Sequence, residues 1–207
     1  QPAIFPAPHP YNWPVIGWPS DLEGITREEA LSFFGTNYAP NNLTAALVGD
    51  FDPKRAIELA ELYFGRLKRG VKEPETVRTR EVEQQAEKRM IGYADTQPTA
   101  KIRYHTVADA HRDEPALIVL SGLLNGRTGR LYKSLVLEQQ VATDAGAGVN
   151  GLKYDGFFEL SGTAREGHKP EDVEQALYKE MDVLREQLAG ERELQKVKNQ
   201  QLASDFR

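Results

Sequence analysis

The chain has 207 residues, 40% of them hydrophobic, and a formal net charge of -5 at pH 7. This length and composition allow one large domain or two small ones with a buried core. The acidic balance provides no basic field, so we expect no nucleic-acid partner. The lack of cysteine excludes disulfides and thiolate metal sites. No apolar run approaches the roughly 20 residues that cross a bilayer, so the sequence predicts no membrane span.

The N-terminal segment, residues 1–20, is rich in proline and contains both tryptophans of the chain. Because proline removes backbone amide donors, we predict a rigid aromatic loop over residues 9–26, without a regular helix or strand. Thr26 and Glu29 follow at capping-box spacing. They predict the start of a helix that ends near Tyr38.

The next segment, residues 41–51, is mostly apolar and predicts a buried strand. Asp52 and Pro53 have the residue types of an N-cap and a first helical position, so we predict a second helix from there to Gly65. Residues 66–88 are polar and charged, with few large apolar side chains. Such a segment buries little surface, and we interpret it as a linker between two domains.

The second half of the chain alternates between strand and helix patterns. Strands are predicted at 89–95, at 99–108 and twice within 141–166, the last two joined by a turn near Asn150 and Gly151. Helices are predicted at 115–126, 129–140, 170–188 and 191–207. The predicted fold class is α+β, with antiparallel sheets backed by helices in two lobes.

Residues that could carry chemistry are scattered along the sequence. The histidines are His9, His105, His111 and His168. None has a second histidine at the spacing of a helical zinc motif, so we expect them to pack locally or to lie in solvated loops. The glycines at 122–129 lack the lysine of a phosphate-binding loop, and Thr128 is a candidate N-cap for the next helix. From its own residues, the chain shows no assembled active site.

Four segments of the sequence have residue patterns that are specific enough to compare with a known protein family. They are HPYNWPVIG at 9–17, DLEGITREEALSFFGTNYAPNNLTAALVGDFD at 21–52, AELYFGRL at 60–67 and GRLYKSL at 129–135. Their order resembles the pitrilysin/insulinase family of zinc peptidases, close to its mitochondrial-processing-peptidase-like bacterial branch. The resemblance covers nearly the whole chain and is strongest over residues 1–67.

The resemblance implies a fragment that is truncated at both ends. It assigns residues 1–67 to the C-terminal part of a first lobe, 68–88 to an interlobe linker and 89–207 to a second, non-catalytic lobe. The family's inverted zinc motif, two histidines around a glutamate base with a later glutamate ligand, would then lie upstream of Gln1. We therefore expect no catalytic and no metal-binding residue in this chain, no zinc bound to it and no cleavage by it alone.

One departure from the family pattern bears on mechanism. Active single-chain members carry an arginine and a tyrosine in the second lobe that bind the substrate backbone. The resemblance places Val136 and Thr143 at those two positions. Valine has no donor and the threonine hydroxyl is short, so neither can replace the family pair. Either a paralogous partner subunit supplies the arginine and tyrosine, or the parent protein has lost its activity.

The resemblance thus predicts the substrate-enclosing, non-catalytic portion of a zinc-dependent endopeptidase acting on peptides or small unfolded proteins. The alternative is a non-catalytic structural or partner subunit of the same fold, and a generic ligand-binding module is a third hypothesis. Zinc is expected only in the full-length parent. A homo-oligomer is left open, and for a bacterial parent a periplasmic or secreted location is favoured over a cytoplasmic one.

Overall fold

The computed structural model describes residues 3–77 and 84–206 and falls into two units, Gln1–Met90 and Ile91–Arg207. The fold class is α+β, as predicted. The segment interpreted as a linker, 68–88, lies in the first unit by this division, and its residues 78–83 are outside the described residues. The assignment of lobes and linker therefore remains a prediction. None of the described helices is long and apolar enough to span a membrane.

The first unit is built from helices and loops in its described residues. Two short 3-10 helices, Pro10–Asn12 and Pro40–Asn42, accompany helices α1 (Pro19–Gly24), α2 (Arg27–Asn37) and α3 (Pro53–Phe64). The prediction that residues 9–26 form no regular helix is wrong, because a proline at the first position of α1 costs no helical hydrogen bond. The predicted capping box is confirmed, because Thr26 Oγ1 accepts from the Glu29 amide at 3.2 Å and the Glu29 carboxylate accepts from the Thr26 amide at 2.8 Å. The predicted N-cap Asp52 accepts from the Lys54 amide at 2.9 Å.

The predicted strand at 41–51 is wrong. After the short helix that ends at Asn42, the chain runs without strand pairing to α3, and Val48 is 97% exposed. A strand needs a hydrogen-bonding neighbour, and the described residues of this unit include no strand that could pair with it. The predicted strand at 89–95 is also wrong, because Met90, Ile91 and Tyr93 are exposed and lie outside any ladder.

The second unit contains one antiparallel sheet. Its strands are β1 (Thr99–Thr106), β2 (Ala142–Gly151) and β3 (Gly156–Ala164), in the order β1-β3-β2. All three were predicted from period-two patterns. The turn lies slightly later than predicted, because Asn150 and Gly151 still pair with Phe157 and Gly156 in the ladder.

Helices cover this sheet and complete the core of the second unit. They are α4 (Glu114–Leu124), a π-helix (Tyr132–Glu138), α5 (Pro170–Glu186) and α6 (Glu191–Asp205). The predicted helix positions are confirmed, and Val173 and Leu177 of α5 are fully buried together with Leu135 and Leu160. A Cβ added to Gly162 of β3 would lie 2.6 Å from Val173 Cγ1, so α5 packs directly on the strand at this glycine.

Candidate functional site

The π-helix and β2 carry the two positions that the sequence singled out. Val136 lies in the π-helix, and its side chain is only 7% exposed and belongs to the core. Thr143 lies at the start of β2 with an exposed side chain, and its hydroxyl donates to the Thr163 carbonyl at 3.4 Å. Their assignment as substrate-contact positions stays a prediction. The side chain at position 136 is apolar and buried, so it offers no polar group to a substrate.

The backbone between these two positions is irregular in three ways. The π-helix closes with the Gln139 amide donating to the Ser134 carbonyl at 2.8 Å, one residue wider than an α-helical bond. Gln140 then has a φ of 56°, which a residue with a Cβ rarely adopts. Thr143 is the extra residue of a β-bulge. Such irregularities are concentrated at functional sites, because each one re-aims a side chain at a local cost.

Arg165 borders this segment from the end of β3. Its amide donates to the Val141 carbonyl at 2.9 Å, which fixes its backbone beside the start of β2. Its guanidinium Nη2 is 3.4 Å from the Val136 carbonyl, a long and weak hydrogen bond. The side chain is half-buried, and no carboxylate whose side chain the structure describes lies within 4.0 Å of the guanidinium. We call Val136, Gln140, Thr143 and Arg165 the corner site.

The sequence analysis missed Arg165. Its relation to Val136 and Val141 depends on how β2 and β3 pair and on the path of the π-helix. The only local signal was a basic residue directly after a predicted strand, which is common on protein surfaces. Knowledge of the strand register would have placed it beside the predicted positions.

An ion pair fixes the segment before the π-helix to α6. Arg130 donates to both Glu193 carboxylate oxygens, at 2.9 and 2.7 Å, and both side chains are largely buried. The hydrogen bonds from Arg130 hold the pKa of Glu193 below its ordinary value, against the opposing effect of partial burial. Thr128 was a candidate N-cap, and this prediction is wrong. Its hydroxyl accepts from Lys196 Nζ of α6 at 2.9 Å instead.

The four histidines are separate, and each has a local environment. His9 is fully buried, stacks on Phe5 with ring centroids 4.8 Å apart, and accepts from the Tyr11 amide, which confirms the predicted local packing. His111 accepts from the Asp113 amide, and His168 lies 3.5 Å from the Asp172 carboxylate. His105 is on β1. The described residues bring no three metal-ligating side chains together, so they do not fit a zinc site.

The first unit has an apolar groove of about 370 Å³ along α3. Its walls come from α3 and from the unpaired segment before it, including Leu47, Phe51, Leu59 and Tyr63. Polar atoms contribute little to its lining. The groove can therefore hold apolar side chains.

Comparison with known proteins decides the family. The family described as Peptidase M16 inactive domain matches residues 24–201. This chain belongs to the peptidase M16 family. The predicted relation to pitrilysin and insulinase peptidases is thereby confirmed.

A curated relative supports the same membership. This M16 chain is 30% identical over 206 residues to a protein named zinc protease PqqE from Helicobacter pylori, covering 96% of the chain and 45% of that protein. It is also 30% identical over 59 residues to a probable mitochondrial-processing peptidase subunit beta from Schizosaccharomyces pombe, covering 28% of the chain and 13% of that protein. The chain spans about half the length of the first of these relatives.

Solved structures show the same fold. A protease from Helicobacter pylori superposes with a TM-score of 0.77 at 23% identity, covering 96% of this M16 chain and 49% of the other. An M16 inactive domain from Pseudomonas fluorescens gives 0.78 at 20% identity, with 98% and 49% covered. The periplasmic protease PqqL from Escherichia coli gives 0.63 at 21% identity, with 91% and 21% covered.

Proposed function

We propose that this chain is the substrate-enclosing, non-catalytic portion of a zinc-dependent endopeptidase that acts on peptides or small unfolded proteins. The observation that carries the proposal is the match of residues 24–201 to the inactive domain of the M16 family. The name of the Helicobacter pylori relative, a zinc protease, supports zinc chemistry in the full-length protein.

The division of labour within the full-length protein follows from this proposal. In this proposal the zinc ligands and the general base lie in another part of the full-length protein, and the match to the M16 inactive domain supports this division. The second unit encloses the peptide and contributes contacts from the corner site. The 207-residue chain alone neither binds catalytic zinc nor cleaves peptides.

Val136 and Thr143 favour a requirement for a second subunit. The Val136 side chain is buried in the core, and the Thr143 hydroxyl already donates to Thr163. A paralogous partner would then supply the arginine and tyrosine that are missing here. The same two residues support the second candidate function, a structural or partner subunit of this fold that has lost its peptidase activity.

A periplasmic or secreted location is part of the proposal. The name of one solved structure of similar fold, the periplasmic protease PqqL from Escherichia coli, supports it.

Peptide hydrolysis by the full-length protein tests the proposal. A library of quenched fluorescent peptides is incubated with the protein alone and with any adjacent paralogue, each with and without a chelator. We expect cleavage that the chelator abolishes. Cleavage only in the mixture establishes the two-subunit arrangement. Silence in every mixture refutes the peptidase and supports the structural subunit.

A further inference from the structure

We propose that Arg165 is a substrate-binding residue that holds a carboxylate of the peptide at the corner site. The inference rests on the proposed function, because it takes the ligand to be the peptide enclosed by this lobe. It gives a role in substrate recognition to a residue other than Val136 and Thr143, the two positions that the family resemblance singled out.

The first argument is that the fold makes little use of the Arg165 side chain. Three other arginines of the second unit have carboxylate partners: Arg103 is 2.6 Å from Glu159, Arg130 is 2.7 Å from Glu193 and Arg185 is 3.2 Å from Asp182. Arg165 has only the 3.4 Å contact with a backbone carbonyl. A half-buried guanidinium without a counter-charge is costly for a protein to keep, unless a ligand supplies that charge.

The second argument is that the backbone holds this guanidinium in place. The Arg165 amide is bonded to Val141, and Ala164 before it donates to the Pro98 carbonyl at 2.8 Å. Both neighbouring strands therefore fix the end of β3. A side chain on a fixed backbone loses less entropy on binding than one on a mobile loop, so Arg165 is preorganised for a ligand.

The third argument is the convergence of irregular backbone on the same corner. The π-helix presents the Val136 carbonyl to Arg165, Gln140 turns the chain through a positive φ, and the bulge leaves the Thr143 hydroxyl exposed. This irregular backbone borders the Arg165 guanidinium, which carries a permanent positive charge.

The chemistry of the group selects the ligand. A guanidinium has five N–H donors in a planar fork that matches the two oxygens of a carboxylate. The Val136 carbonyl occupies one of these donors weakly. In a peptide the carboxylate comes either from the C-terminus or from an Asp or Glu side chain, and both present the same pair of oxygens.

Binding to the full-length protein tests the inference without relying on cleavage. The zinc is removed by a chelator, and fluorescence anisotropy measures the affinity for three labelled versions of one peptide. One version has a free C-terminus and glutamate, the second is amidated at the C-terminus, and the third has glutamine in place of glutamate. Amidation and the replacement of glutamate by glutamine each remove one carboxylate. We expect the one that removes the carboxylate held by Arg165 to weaken binding about tenfold.

Variants connect that loss to Arg165. In Arg165→Gln we expect about tenfold weaker binding of the carboxylate peptide and no further effect of removing its carboxylate, whereas Arg165→Lys retains part of the affinity. Arg185→Gln removes the same charge from an exposed position on α5 and should behave like the wild type. Thermal unfolding of each variant identifies any loss of fold, and Arg165→Lys serves as the readout if Arg165→Gln does not fold.

The outcomes separate this inference from the proposed function. Equal sensitivity to carboxylate removal in wild type and both Arg165 variants overturns the role of Arg165, as does a wild type that binds none of the three peptides. Cleavage after zinc is restored is measured separately. Binding that depends on Arg165, without cleavage either alone or in any mixture with an adjacent paralogue, refutes the peptidase and leaves the carboxylate site in place.

Discussion

At the scale of single residues, Arg130 and Glu193 form a bidentate and largely buried ion pair in the second unit. Its two hydrogen bonds connect the chain before the π-helix to α6, and both side chains are more than two thirds buried. The two parallel hydrogen bonds of a bidentate pair fix the relative orientation of both side chains, which a single exposed ion pair does not. We therefore regard it as a support of the segment that leads into the corner site.

The pair makes stability depend on pH. We expect Glu193→Gln to lower the free energy of unfolding by about 1 kcal/mol near neutral pH. Because the folded-state pKa of Glu193 is lowered, its contribution is complete above the unfolded pKa and is lost as pH falls through the folded value. Urea unfolding of both proteins by circular dichroism should show the difference shrinking in acid. Glu191→Gln, on the exposed start of α6, is the control, and a difference that persists in acid would contradict this account.

Asn125 bonds to the outer edge of β2. Its side-chain oxygen accepts from the Ala147 amide at 2.8 Å, and its side-chain nitrogen donates to the Ala147 carbonyl and to Ser121. It thus occupies the backbone groups that another strand would use. We expect Asn125→Ala to destabilise the unit by about 1–2 kcal/mol and to promote self-association. Denaturant unfolding and light scattering measure both effects, and Asn199→Ala on α6 is the control. Unchanged scattering would show that Asn125 does not protect the edge.

At the scale of secondary-structure elements, the packing of α5 on the sheet depends on Gly162. A methyl group there would meet Val173 at 2.6 Å, so we expect Gly162→Ala to destabilise the second unit by about 1–3 kcal/mol. Val173→Ala makes room for that methyl, and the double variant should be less destabilised than the sum of the two single ones. Denaturant unfolding of all four proteins measures the coupling. Strict additivity would show that helix and strand do not meet at this glycine.

Local sequence signals predicted most secondary-structure elements, but two strand predictions that depended on a distant pairing partner were wrong. The capping residues Thr26 and Asp52 located their helices because an N-cap involves only the next three residues. The strands at 41–51 and 89–95 were wrong because pairing depends on a distant partner, which apolar composition cannot reveal. The three strands of the sheet were predicted correctly. More and less buried residues alternate along β1 and most of β3, and only weakly along β2.

The candidate site was predictable only in part. The resemblance identified Val136 and Thr143, but the sequence could not show that one side chain is buried and the other lies on a bulge. Arg165 was missed altogether, because its position beside Val136 results from the pairing of β2 with β3. Backbone irregularities such as that at Gln140 leave no pattern in residue type that reasoning from periodicity can detect.

At the scale of the whole molecule, the first unit exposes many large apolar side chains. Leu47, Phe51 and Tyr63 of the groove are all exposed, and the chain spans about half the length of the first curated relative. Exposed apolar patches of this kind promote association. We therefore expect the purified 207-residue chain to self-associate as its concentration rises.

Sedimentation velocity measures this association. Leu47→Lys places a charge in the groove and should shift the chain towards the monomer, whereas Val71→Lys changes a fully exposed residue that does not line it. A chain that remains monomeric at all concentrations, or two variants that behave alike, would show that the groove does not drive association.

The central claim is that this chain encloses the substrate while zinc and catalysis reside elsewhere in the full-length protein. The most direct test measures bound zinc and hydrolysis of quenched peptides for the full-length protein and for the 207-residue chain, prepared in the same way. The full-length protein is assayed alone and with any adjacent paralogue. We predict bound zinc and chelator-sensitive cleavage with the full-length protein, and neither with the chain alone. Zinc-dependent cleavage by the 207-residue chain would contradict the account, and so would a full-length protein that holds no zinc and remains inactive in every mixture.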